Sequence, residues 1–292
     1  MSAAKGSYYL PEPSPWPVIT SVGVFVLALG FILFMNSISA GSWLMIGGAA
    51  IIVILSAKWF GQVIGESEAG TFNDQVDMSF RMGMGWFIFS EVMFFAAFFG
   101  ALFYVRQLAV PWLAENELLW PGYEGGWPTA GPKGAEVIAA DSQPGPNQFS
   151  PMGAWGIPAL NTLILLTSGF TVTMAHWGLK KDNRGQLVVW LFLTIALGIT
   201  FLAFQAYEYS HAYTQMGLTL GTGVYGATFF MLTGFHGFHV TMGTIMLIVI
   251  WLRSIKGHFT PKHHFGFEGV AWYWHFVDVV WLGLFVFVYW LV

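Results

Sequence analysis

The sequence predicts an all-α membrane protein of seven transmembrane helices, and three observations carry that prediction. Only 9% of the 292 residues are charged, while 56% are apolar and 18% aromatic. Soluble domains carry roughly 25% charged residues, so a chain this poor in charge would lack a water-facing surface. Seven windows hold the ~20 mostly apolar residues that a span needs: roughly 17–36, 39–59, 82–107, 156–179, 187–208, 223–252 and 270–291. None alternates with period two. Hydrocarbon leaves only helices or closed barrels as solutions for the backbone, and runs this long are helices.

The first window follows Lys5 and the stiff Pro11-Glu12-Pro13-Ser14-Pro15-Trp16-Pro17. Ser37-Ile38-Ser39 makes a poor cleavage site, so this window reads as a retained helix rather than a removable signal. With the second window it forms a two-helix unit over 1–65. An acidic inner connecting segment, 66–81, carries Glu66, Glu68, Asp74 and Asp77. The remaining five windows form a bundle over 82–292, interrupted by an outer loop, 108–155, rich in Pro, Gly and Trp. That loop is expected to be either ordered against a partner or flexible; its composition does not decide. Gly83, Gly85 and Gly100 lie within the third window, and small residues of this kind let membrane helices approach closely.

Orientation follows from the cations. With the N-terminus inside, the inner segments hold Lys5, Lys58, Arg81, Lys180, Lys181, Arg184, Arg253, Lys256 and Lys262, and the outer ones only Arg106 and Lys133. Seven spans then put the C-terminus outside. The absence of cysteine excludes disulfides, thiolate metal sites, iron–sulfur clusters and cysteine nucleophiles. No basic block points to nucleic acid, and no internal repeat suggests a transporter built from inverted halves.

Ionisable residues inside spans are the candidates for function. Glu91 lies about 14 Å along the helix axis from Met82, near the bilayer midplane. It reads either as a proton-relay acid or as a carboxyl hydrogen-bonded across a helix interface. His236 and His239 are three apart in the sixth span, and His275 and Asp278 three apart in the seventh, so each pair shares a helix face. The two spans run antiparallel across a short connection, and the four residues are expected to form an intramembrane polar cluster. Metal ligation is one reading of it. Hydrogen bonding between helices, including a bond from Glu91 to an imidazole at similar depth, is the plainer one, and no metal is assigned. At the inner rim, Arg253, Lys256, His258, Lys262, His263 and His264 accompany Trp59 and Phe60, a mixture suited to anionic lipid headgroups or to plain anchoring.

Short strings in a fixed order carry a resemblance. Pro13-Ser14-Pro15-Trp16-Pro17 precedes the first span, Val63-Ile64 and Glu66-Ser67 follow the second, and Ser90-Glu91-Val92 with Phe94-Phe95 marks the third. Ala175-His176, Gln205-Ala206, Glu208-Tyr209 and Gly223-Val224-Tyr225-Gly226 come next. Thr233-Gly234-Phe235-His236-Gly237 and the run from His263 to Trp281 complete the series. Over nearly its whole length the chain resembles the third subunit of aa3-type cytochrome c oxidases.

The resemblance implies two plus five helices around a V-shaped, lipid-filled cleft; the loop 108–155, longer than in mitochondrial relatives, points to a bacterial inner membrane. It implies a chain without a redox centre that supports a proton-pumping oxidase passing electrons from cytochrome c to oxygen. Haem a, haem a3 and copper would belong to partner subunits one and two. Carried over by position, the phospholipid bed would comprise Trp59, Phe60, Glu66, Arg253, Lys256, His258, Thr260, His263 and Phe265, and Glu91 would be a buried carboxyl near subunit one. Gly65 stands where many relatives have Arg, which removes one headgroup contact. The corresponding subunit of a quinol oxidase or nitric oxide reductase assembly is the alternative, followed by an independent transporter or a self-standing haem protein. The two-helix N-terminal unit favours the cytochrome c type, since the shorter relatives keep five helices.

Overall fold

A computed structural model describes Tyr9, residues 13–140 and residues 142–292. Lys5, Pro11 and Glu12, used above, lie outside the described residues. Among the described residues, seven helical segments are long and apolar enough to span a membrane: Trp16–Met35, Ala40–Glu68, Asp74–Ala114, Ile157–Lys180, Arg184–Gln215, Gly223–Lys256 and Phe265–Trp290. We label them by their regular parts: α1 (Trp16–Met35), α2 (Ala40–Glu68), α3 (Asp74–Tyr104), a short α4 (Val110–Ala114), α5 (Ile157–Lys180), α6 (Arg184–Gln215), α7 (Gly223–Lys256) and α8 (Phe265–Leu284). The chain divides into two compact units, Met1–Met82 and Gly83–Val292.

Several helices overrun the apolar windows. At 1.5 Å per residue, the 29 residues of α2 extend about 43 Å, well beyond a ~30 Å hydrocarbon core. Segment 66–81 is therefore mostly helix rather than connection, with a corner over 69–73 where Gly70 takes φ +69°. Local chemistry explains the early start of α3. The Asn73 side chain accepts from the Val76 N–H (2.9 Å), Asp74 and Asp77 sit in the first turn, where acids suit the helix dipole, and Arg81 pairs with Asp77 at 2.7 Å. At the other end, α3 passes through a π-helical turn, Val105–Ala109, into α4. Pro111 lacks an N–H and crowds the preceding carbonyls, and a wider turn relieves both problems.

In the N-terminal unit, α1 packs against α2 through glycines: the buried residues of these two helices are Gly23, Gly30, Gly41 and Gly48. A Cβ at Gly30 or Gly48 would stand 2.5 Å from the backbone nitrogen of Met45 or Leu27. The helices touch main chain to main chain, as small residues permit in lipid.

The second unit is held by side chains. Trp274 of α8 is wholly buried and wedges between Gly198 of α6 and Gly243 of α7, where an added Cβ would stand 2.9 and 2.8 Å from the indole. Its Nε1 donates to Ser168 Oγ of α5 (2.9 Å), and Trp281 Nε1 donates to Thr162 Oγ1 one level further along (2.9 Å). Trp251 Nε1 donates to the Val188 carbonyl (3.1 Å), while Thr171–Thr194 (2.8 Å) and Tyr209–Thr233 (2.6 Å) join further neighbours. Each bond satisfies a polar group that hydrocarbon could not.

The long loop is ordered against its own chain. Glu136–Val137 and Gln148–Phe149 form a two-stranded parallel ladder, β1 and β2, with Glu136 opposite Gln148. The Ser150 N–H reaches the Met216 carbonyl (3.0 Å), and the Thr129 and Ala130 carbonyls accept from Tyr225 (3.1 Å) and Val224 (3.3 Å) at the start of α7. Phe149 is fully buried and stacks on Tyr225 with ring centroids 5.7 Å apart. The loop thus caps the end where α6 turns into α7.

Candidate functional site

The polar residues expected to meet as one intramembrane cluster divide into separate contacts. His239 of α7 turns toward α3, with Nε2 2.9 Å from Glu91 Oε2, in an apolar wall whose nearest rings are Phe95 (5.0 Å) and Phe238 (5.8 Å). Its Nδ1 lies 2.7 Å from the Phe235 carbonyl. A carbonyl only accepts, so Nδ1 carries a hydrogen. Either the carboxyl donates to a neutral imidazole, or an imidazolium donates to a carboxylate. In both states the pair holds one shared proton and no net charge.

His236 turns instead toward α8. It is fully buried, donates from Nε2 to the Val277 carbonyl (3.1 Å), and packs on the rings of Trp281 and Phe201 at 5.1 and 5.7 Å. Its Nδ1 has no partner among the described residues.

His275 and Asp278 face α5. Thr173 Oγ1 lies 3.3 Å from His275 Nε2, and His275 Nδ1 is 3.7 Å from Asp278 Oδ2. Gly169 makes room for this carboxylate, because a Cβ there would collide with Asp278 Oδ2. The residues considered as a His/His/His/Asp ligand set therefore do not converge. A step of three residues leaves side chains about 60° apart around a helix, enough to send His236 and His239 to different neighbours.

The residues assigned to lipid lie in two places. On α2, Trp59 is 39% and Phe60 70% exposed; Glu66 accepts from Gln62 (2.9 Å), which itself accepts from Trp16 Nε1 (2.8 Å). The others cluster at the corner between α7 and α8. Arg253 and Lys256 occupy the last turn of α7, which Gly257 closes in the left-handed conformation at φ +79°. The Arg253 guanidinium lies over the Phe259 ring, 4.5 Å from its centroid. Thr260 and His263 pin the turn, with the His263 N–H donating to Thr260 Oγ1 (3.1 Å).

Two groups were not singled out for chemistry from the sequence. Near the far end of α6, Tyr289 donates to Glu208 Oε1 (2.6 Å), and Glu208 Oε2 has no partner among the described residues. At the basic corner, His176 of α5 meets His264 and Glu268 at the start of α8, their ligating atoms all within 4.8 Å of one another. The four-residue spacing of His264 and Glu268 was a readable signal for one helix face; His176 is 88 residues away and joins them only through folding.

The family model for cytochrome c oxidase subunit III matches residues 6–122 and 138–292. Curated relatives named cytochrome c oxidase subunit 3 align nearly end to end. The protein from Marchantia polymorpha is 43% identical over 287 residues, covering 98% of this chain and 97% of the relative. That from Chondrus crispus is 43% identical over 290 residues, 99% and 95%, and that from Hippopotamus amphibius 39% over 291 residues, 99% of both. The stretch that the family model passes over, 123–137, lies within the outer loop.

Proposed function

Because the chain belongs to the cytochrome c oxidase subunit III family, we propose that it serves as the non-catalytic third subunit of a proton-pumping oxidase that passes electrons from cytochrome c to oxygen. The match of the family model to both ends of the chain is the observation that carries this reading. In this role the chain stabilises the catalytic subunit and supports proton uptake, while haem a, haem a3 and copper reside in subunits one and two. The complex sits in a bacterial inner membrane, with the N-terminus of this chain cytoplasmic and its C-terminus periplasmic.

The two surface regions described above supply lipid contacts in this proposal. Arg253, Lys256, His258, Thr260, His263 and Phe265 receive anionic headgroups at the α7–α8 corner, and Trp59, Phe60 and Glu66 line a lipid-facing stretch of α2. A corner with cations beside a threonine hydroxyl and aromatic rings supports this reading.

Purification of the assembly through a tag on this chain tests the proposal. The expected result is haem A absorbance and copper in the assembly, cytochrome c-dependent oxygen uptake, and neither haem nor copper in the chain once detached. A chain that purifies without an oxidase, or a detached chain with a Soret band, would overturn it.

A further inference from the structure

Three side chains, from α5 and the start of α8, bring ligand-type atoms within 4.8 Å of one another near the basic end of the bundle. His176 Nε2 lies 3.3 Å from His264 Nε2 and 3.5 Å from Glu268 Oε1, and His264 Nε2 lies 3.3 Å from Glu268 Oε1. A tetrahedral zinc ion with bonds of 2.0–2.1 Å to nitrogen and oxygen requires ligand atoms about 3.3–3.4 Å apart. The triangle has that size before any ion is considered.

The hydrogen bonding around it fits the same chemistry. His264 Nδ1 is 3.0 Å from the Thr260 carbonyl, which can only accept. In the neutral ring this fixes the hydrogen on Nδ1 and leaves the Nε2 lone pair facing the triangle, the second-shell arrangement typical of metal-bound histidine. The Glu268 and His264 side chains are 12% and 7% exposed, and His176 20%. A single proton can bridge one edge of such a triangle at a time. A divalent cation satisfies all three donors at once.

The geometry points to a zinc-binding site formed by His176, His264 and Glu268, with water in the fourth position. Two imidazole nitrogens with one carboxylate oxygen suit zinc rather than magnesium or calcium, which take oxygen donors. Three protein ligands with an open position describe an exchangeable or reactive site rather than a closed structural one. The bound ion would tie the end of α5 to the start of α8, next to the corner that carries the exposed cations. This role needs no redox chemistry and is separate from the proposed lipid contacts.

Equilibrium dialysis of the purified assembly against micromolar zinc, with metal counted by elemental analysis, tests the site. Wild type is expected to retain one zinc per complex beyond the number retained by Glu268→Gln, His264→Gln or His176→Gln. Loss of a direct ligand should weaken binding by at least about the 10–100-fold seen for loss of an outer-shell partner. Haem content and gel filtration identify which variants remain assembled, and any one assembled variant is sufficient for the comparison. The difference in zinc X-ray absorption between wild type and variant should report nitrogen and oxygen neighbours near 2.0–2.1 Å and no sulfur. Retention should also fall as the pH is lowered through the histidine range, because protons compete for both imidazoles. Equal zinc content in wild type and an assembled variant, or no added zinc in wild type, would overturn the assignment.

Discussion

The first two helices bury nothing but glycine, whereas α8 buries Trp274, Trp281, Tyr273 and Phe276 among others. Both regions face the same problem, since lipid gives helices no hydrophobic reason to associate. The α1–α2 pair solves it by bringing backbones together, gaining dispersion contacts along a narrow seam and leaving Phe25, Phe31 and Trp43 exposed on its outer faces. The five-helix bundle solves it with large rings whose polar edges are hydrogen-bonded across the interface. The first solution depends on the absence of side chains and the second on their exact placement, so they should fail differently.

Trp274→Ala should be the most damaging change in the bundle. It leaves a cavity between Gly198 and Gly243 and removes the bond to Ser168. About 3 kcal/mol is expected, the low end for such a truncation because the residue does not return to water; denaturant unfolding in detergent would measure it, and a loss under 1 kcal/mol would show that the wedge is dispensable.

The counterpart in the hairpin is Gly41→Val. A Cβ at this position collides with the Phe34 backbone nitrogen, and overpacking should cost about 2–3 kcal/mol. The chain has no cysteine, so a pair introduced across the α1–α2 seam reports the separation directly. Undiminished cross-linking in the variant would contradict a seam made of main-chain contact.

Next comes Glu91. Glu91→Ala leaves His239 Nε2 facing an apolar wall at a cost of about 1–3 kcal/mol, while Glu91→Gln keeps a donor in place and should assemble and pump protons nearly normally. Loss of pumping in a fully assembled Gln variant would make Glu91 an obligatory proton carrier instead of a helix-to-helix link. The smallest effect is expected from Trp281→Phe, which keeps the ring but removes the bond to Thr162, for about 1 kcal/mol. If it matches Trp274→Ala, hydrogen bonding rather than packing dominates the bundle.

Hydropathy made the seven spans readable because lipid imposes one length and one composition on every helix. Their ends were less readable: α2 and α3 continue through Glu66 and Asp77 because polar residues at the headgroup level keep helical hydrogen bonding as readily as apolar ones. The ordering of the outer loop rests on backbone bonds that join Thr129, Ala130 and Ser150 to Tyr225, Val224 and Met216, far along the chain, and composition carries no trace of such pairings. Within the candidate site, spacing showed which residues share a helix face. It did not show that His236 and His239 diverge, nor that His176 closes on His264 and Glu268, because both outcomes depend on which neighbouring helix each face meets.

The shared proton of Glu91 and His239 has an electrical consequence. Moving one elementary charge across the whole bilayer at 100 mV involves about 2.3 kcal/mol. Proton exchange between two atoms 2.9 Å apart covers at most a tenth of the ~30 Å hydrocarbon thickness, and therefore at most about 0.2 kcal/mol per 100 mV. A charged respiratory membrane thus exerts almost no pull on the position of this proton, and the link between α3 and α7 should be as strong in an energised cell as in a resting one.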